Sequence, residues 1–147
     1  NGMDKIYHEE EGLRELLTAS DFIISTVALT DETYHLLNEE RLSLLKPTAY
    51  VVNISRGSII DEPALIKCLQ EGKIAGAGLD TFEQEPLEKE SPLWTLPNVV
   101  MTPHVTPPQP DKHEVSLQVI LDNIRNYHKE EPLRNVYKSY YRFSGKK

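Results

Sequence analysis

The chain has 147 residues, 39% of them hydrophobic, and a formal net charge of −7 with a pI near 5.2. That is enough apolar material for one core, while the acidic balance argues against a nucleic-acid or anionic-membrane partner, both of which need clustered Lys and Arg. No apolar run approaches the roughly 18 residues of a membrane span, no signal-peptide pattern opens the sequence, and the single Cys68 cannot close an internal disulfide, so the expected setting is the cytoplasm.

In chain order, Leu13, Leu16 and Leu17 with charges between them predict a short amphipathic helix ending near Ser20. Residues 22–27, FIISTV, read as a buried strand, followed by the polar ALTDET. Asn38 can cap another helix, with Glu39 and Glu40 in its first turn where the dipole favours them, and with Leu42 and Leu45 facing inward until Lys46 and Pro47 stop it. Tyr50, Val51 and Val52 show no polar alternation, the pattern of a strand covered on both faces of a parallel sheet. That strand runs into Asn53, Ser55, Arg56 and Gly57, and then into a helix over residues 62–71 with Asp61 as its cap, Pro63 in its first turn and Gly72 just past its end. Cys68 falls on the apolar face of this helix with Ala64, Leu65 and Leu69, and reads as packing rather than as a reactive thiol.

Residues 74–79, IAGAGL, predict a third strand whose small residues permit close backbone approach, with Asp80 where it stops. The connection over 81–97 contains Pro86, Pro92 and Pro97 and no helical period, which predicts an irregular crossover anchored by Leu93, Trp94 and Leu96. Val99, Val100 and Met101 make a fourth strand leading to Thr102, Pro103 and His104. A last helix is expected from Asp111, with Glu114 three residues on as a capping box. Its stripe of Val115, Leu117, Val119, Ile120, Leu121 and Ile124 is too wide for an exposed face and predicts a place between two bodies. Strands alternating with helices or crossovers give an α/β fold with a mostly parallel sheet. The basic tail over 142–147 reads as a frayed end.

Parallel strands bring their carboxyl ends to one edge, where such folds bind ligands. Arg56 follows the second strand, Glu85 the third and His104 the fourth, so adjoining strands would line one crevice with a guanidinium, a carboxylate and an imidazole. A carboxylate in reach favours the imidazolium, which makes His104 a candidate acid, and the planar fork of Arg56 suits an anionic substrate group. The plain alternatives are a solvated Arg, a solvated Glu in an acidic loop and a hydrogen-bonded structural His. The other histidines, His8, His35, His113 and His128, show no metal-ligand spacing, and no GxSxG elbow is present.

The stretches NISRGSIIDEPAL, GLDTFEQEPL and SPLWTLPNVVMTPH resemble the signatures of the NAD(P)-dependent D-2-hydroxyacid dehydrogenases, the family of glyoxylate, hydroxypyruvate and phosphoglycerate enzymes. The resemblance implies that residues 1–108 form the C-terminal portion of a Rossmann-like dinucleotide-binding domain, and that residues 109–147 return toward a substrate domain. It further implies catalysis by Arg56, Glu85 and His104. NAD or NADP would be held by Thr26, Val27, Ala28 and Thr30 after the first strand, by Asn53, Ile54 and Ser55 after the second, and by Asp80. The substrate would be a small 2-keto or 2-hydroxy acid, the assembly a homodimer, and no metal, membrane or nucleic acid would take part. Two departures stand out: Ala28 replaces a common Pro, and Val105, Thr106, Pro107 and Pro108 replace the small residues expected after the His. Neither the glycine-rich phosphate turn nor the residue that selects NAD or NADP is in the sequence, so an incomplete chain is expected. A cofactor-sensing regulator of the corepressor type and an inactive remnant are the alternatives.

Overall fold

The computed structural model describes residues 5–105, 111–136 and 144–145. Four strands, β1 (Phe22–Ser25), β2 (Tyr50–Asn53), β3 (Gly76–Leu79) and β4 (Val99–Met101), form one sheet in sequence order with every neighbouring pair parallel. In register, Ser25 lies opposite Asn53 and Asn53 opposite Leu79, so the carboxyl ends of the first three strands are level. Gly76 is where backbone crowds backbone: a Cβ there would lie 2.5 Å from the Asn98 carbonyl oxygen.

Helices α1 (Glu9–Ala19), α2 (Glu39–Leu42) and α3 (Glu62–Gln70) share one apolar cluster with the sheet. Leu17, Leu42, Leu45, Leu65 and Leu69 meet Ile23, Val51, Ala77 and Leu79 there, all buried. The caps are those expected: Asn38 Oδ1 accepts from the Arg41 N–H at 2.9 Å and Asp61 Oδ1 from the Ala64 N–H at 3.0 Å. Gly72, at φ 63, ends α3 in the left-handed region. Cys68 is buried in the core, and that burial pushes its thiol up from the ordinary value, as a packing role requires.

The strands are covered on one face rather than two. Phe22, Ile24, Tyr50 and Val100 alternate outward and are exposed, with Phe22 and Tyr50 stacked at 5.5 Å between ring centroids. An apolar run without alternation hides this asymmetry, because both faces are apolar and, among the described residues, helices pack against only one. The apolar stripe of the last helix, α4 (Lys112–His128), lies largely exposed, as an incomplete chain without its second body implies; the expected capping box is not formed, since Asp111 makes no side-chain cap hydrogen bond. The stiffened loop at 106–108 and most of the 142–147 tail fall outside the described residues.

Candidate active site

The polar residues at the carboxyl edge first build their own scaffold. Asn53, 1% exposed, donates from Nδ2 to the Arg56 carbonyl at 2.9 Å, while its Oδ1 accepts from the Ser55 N–H at 3.1 Å and the Ser55 hydroxyl at 2.8 Å. An Asn closing a turn on its own following backbone is a local folding device. Ser55 Oγ also pairs with Ser25 Oγ at 2.9 Å, tying the end of β1 to the end of β2. The turn that presents Arg56 is therefore fixed from inside. Gly57, next in sequence, packs so closely that an added Cβ would stand 1.9 Å from the Phe82 carbonyl carbon and oxygen, which presses this turn against the start of the loop that carries Glu85.

Asp80 does the same for the neighbouring strand end. It is 2% exposed; its Oδ1 accepts from the Thr102 hydroxyl and, at 3.0 Å, from the Val105 N–H, while its own N–H donates to the Asn53 carbonyl at 2.9 Å. The segment bearing His104 is thus held on both sides of the His. His104 itself sits at φ 51, a conformation that a non-glycine residue keeps only when its surroundings over-determine it.

The structure joins two of the three expected catalytic side chains directly. Glu85 Oε2 accepts from His104 Nδ1 at 2.8 Å and Glu85 Oε1 from the Phe82 N–H at 3.1 Å, so both carboxylate oxygens are used. Burial pushes the Glu85 carboxyl up, but the hydrogen bonds from His104 and Phe82 and the charges of His104 and Arg56 outweigh it, and the net direction is below the ordinary glutamate value. An ionised carboxylate only accepts, so Nδ1 carries the proton and Nε2 is left as the imidazole's other reactive nitrogen. Arg56 is exposed and close enough to act on Glu85 by charge, yet its hydrogen bond goes from Nη1 to the Ser55 carbonyl at 2.7 Å rather than to either partner. A cavity of about 440 Å³ opens beside Glu85 and His104, walled by Phe82, Leu87, Trp94 and Met101.

Of the residues expected to face a cofactor, Thr26, Val27, Ala28 and Ile54 are exposed at the ends of β1 and β2. Thr30 is half-buried in the same loop, where its N–H donates to Thr33 Oγ1 at 2.8 Å and Thr33 Oγ1 donates to the Ala28 carbonyl at 2.7 Å. The spacing of two Thr three residues apart was the available signal for this turn. Ser25 and Gly57 had no comparable signal, since their roles exist only once strands from distant parts of the chain are paired.

Residues 2–106 match the family described as D-isomer specific 2-hydroxyacid dehydrogenase, NAD binding domain. The chain is 59% identical over 93 residues to the glyoxylate reductase of Thermococcus onnurineus, covering 63% of this chain and 28% of that protein. With the Pyrococcus furiosus glyoxylate reductase it shares 50% over 116 residues, 79% of this chain and 34% of that one. The chain thus spans about a third of the length of these curated relatives. In three dimensions it resembles a D-isomer specific 2-hydroxyacid dehydrogenase from Xanthobacter autotrophicus, solved with NADPH and MES, at a TM-score of 0.83 and 39% identity over 90% of this chain and 54% of that one. An NADPH-dependent glyoxylate/hydroxypyruvate reductase from Sinorhizobium meliloti, solved with NADP and sulfate, matches at 0.80 and 29% over 89% and 42%. With its parallel Rossmann-like sheet and the family pattern running through more than half of its length, the chain belongs to the D-isomer specific 2-hydroxyacid dehydrogenases.

Proposed function

We propose that the protein containing this chain transfers a hydride between a nicotinamide cofactor and a small 2-keto or 2-hydroxy acid, with His104 as general acid and base. The observation that carries this is the 2.8 Å bond from His104 Nδ1 to Glu85, which fixes the ring and leaves Nε2 to meet a substrate oxygen. Glu85 holds the imidazole in that orientation. In the reducing direction Nε2 gives its proton to the carbonyl oxygen as that oxygen gains the electron pair of the broken π bond; in the oxidising direction it takes the hydroxyl proton. Arg56, poised at the same edge, binds the substrate carboxylate through its exposed guanidinium and keeps the keto carbon in register.

The carboxyl edge suits the nicotinamide end of the cofactor. Val27 and Ile54, 40% and 37% exposed on adjoining strand ends, offer apolar surface to a flat ring, with Thr26 and Ala28 alongside and Asp80 at the next strand end. Asn53 and Ser55 spend their side chains on the Arg56 turn, so they would contact the cofactor chiefly through backbone atoms. When bound there, the nicotinamide supplies or accepts the hydride. Either NAD or NADP fits these residues. Residues 109–147 serve in this reading as the connection to a substrate domain, and a homodimer in a reducing cytoplasm is the proposed setting.

The test is a chimera in which this chain replaces the matching residues of the Thermococcus onnurineus enzyme. It should reduce glyoxylate with NADH or NADPH, and His104→Ala should lower kcat by roughly 10²–10⁴ while cofactor still binds. Turnover in that variant within tenfold of the parent would reject His104 as the acid.

A further inference from the structure

Two residues before Glu85, Glu83 belongs to a second titratable cluster that proton transfer does not use. His35 Nε2 contacts Glu83 Oε1, His35 Nδ1 lies 3.9 Å from Asp61 Oδ2, and the Tyr34 ring stacks on the imidazole at 4.0 Å between centroids. Glu83 stands two residues before Glu85, and its N–H donates to Glu62 Oε2 at 3.1 Å. The charged groups gathered about the imidazole are therefore Glu83 and Asp61 directly and Glu62 through Glu83, with Glu88 acting on Glu62 by charge. All these groups lie on two segments that must stay together for the candidate site to exist.

The backbone shows why His35 can join them. Its N–H donates to the Ser58 carbonyl at 2.8 Å, the Leu37 N–H to the Ile59 carbonyl at 3.0 Å, and the Asp61 N–H to the Leu37 carbonyl at 3.1 Å. Residues 35–37 thus run beside the turn that follows Arg56, while the His35 side chain reaches across to the loop that precedes Glu85. His35 sits at φ 49, a strained angle for a non-glycine residue that persists only where contacts over-determine it. Glycine would suit that backbone better but would offer no side chain to Glu83.

We propose that His35 is a positioning residue: its imidazole, held between Glu83 and Asp61, fixes the loop carrying Glu85 against the turn carrying Arg56, and so keeps His104 in its Nδ1–H form. The catalytic part of this role rests on the dehydrogenase reading; the positional part does not. His35→Gly removes the ring at a backbone angle glycine adopts freely, and Glu83→Gln removes the charge it meets, so neither variant strains the fold. The first readout is the ring ¹⁵N shifts of His104 in the 147-residue chain, which distinguish the two neutral tautomers. The Nδ1–H fraction should fall by about twofold or more in each variant, toward the mixture of a free imidazole. An unchanged signature in both overturns the proposal.

The second readout is turnover in the chimera. Each single variant should lower kcat by about tenfold and the double variant by about as much as either, since the two side chains act as one unit. Losses that multiply overturn the coupling. If the parent chimera does not turn over at all, the dehydrogenase reading fails, and the ring shifts still decide whether His35 holds the loop.

Discussion

Gly57→Ala offers the sharpest test of how the two loops meet. Gly57 has no positive φ, so alanine is compatible with its backbone, and on conformational grounds alone the change would stabilise by about 0.4–1 kcal/mol. The structure reverses that sign. The new methyl carbon would stand 1.9 Å from the Phe82 carbonyl carbon and oxygen and 2.4 Å from the Glu83 nitrogen, all backbone atoms with no rotamer to escape into. Ordinary contact would require a retreat of about 1.5 Å. Overpacking of this kind typically costs 1–3 kcal/mol, and a rigid obstacle places it near about 3. For a chain of this size that corresponds to a fall in Tm of roughly 10 °C, read by circular dichroism or calorimetry. Gly72→Ala is the control. It stands at φ 63 with nothing within 4 Å of the added carbon, so it tests strain without collision and should cost about 1–2 kcal/mol. A Gly57→Ala protein melting within about 2 °C of the parent, or above it, would refute the packing argument.

Two other substitutions probe the scaffold. Asn53→Ala leaves the Ser55 N–H and the Arg56 carbonyl without their buried partner and should destabilise by about 2–3 kcal/mol in urea titration, whereas an effect under about 0.5 kcal/mol would mean the turn does not depend on it. Glu62 has its carboxyl pushed up chiefly by burial, with Glu83 and Glu88 adding to the rise and the Glu83 N–H opposing it. A raised value means that the fold favours the neutral acid: this contribution is fully present below the ordinary glutamate value of 4.5 and is lost as pH climbs through the folded-state value. Glu62→Gln keeps an acceptor for the Glu83 N–H and cannot ionise, so it should be more stable than the parent at pH 7 and lose that advantage below pH 4.5. Equal melting curves at pH 7 would contradict the burial argument.

The order of strands and helices was legible because each signal is local: Asn38 and Asp61 cap, Gly72 terminates, and apolar runs mark strands. The meeting of Glu85 with His104 was legible through topology, since successive parallel strands bring their ends together. What stayed hidden depends on pairing between distant segments. Asn53 reads as lining a nicotinamide pocket, partly through backbone atoms, and that its amide also shapes the Arg56 turn shows only in the fold. His35 reads as one unremarked His among five, and only folding puts it beside Glu83. The exposed face of the sheet was invisible for another reason: apolar side chains announce burial without saying what buries them, as Phe22, Ile24 and Val100 demonstrate.

The link from β3 to β4 dispenses with a long helix, having only the short 3₁₀ turn Pro92–Trp94. Glu85, Leu87 and Trp94, which border the cavity, all ride on this irregular stretch, whereas His104 follows β4 and its neighbours Thr102 and Val105 are tied to Asp80 at the end of β3. Such a segment can gain, lose or exchange residues without disturbing a strand register. Past Glu85, at Leu87 and Trp94, selection thus has a place to reshape what the cavity admits while the imidazole and its carboxylate stay where they are.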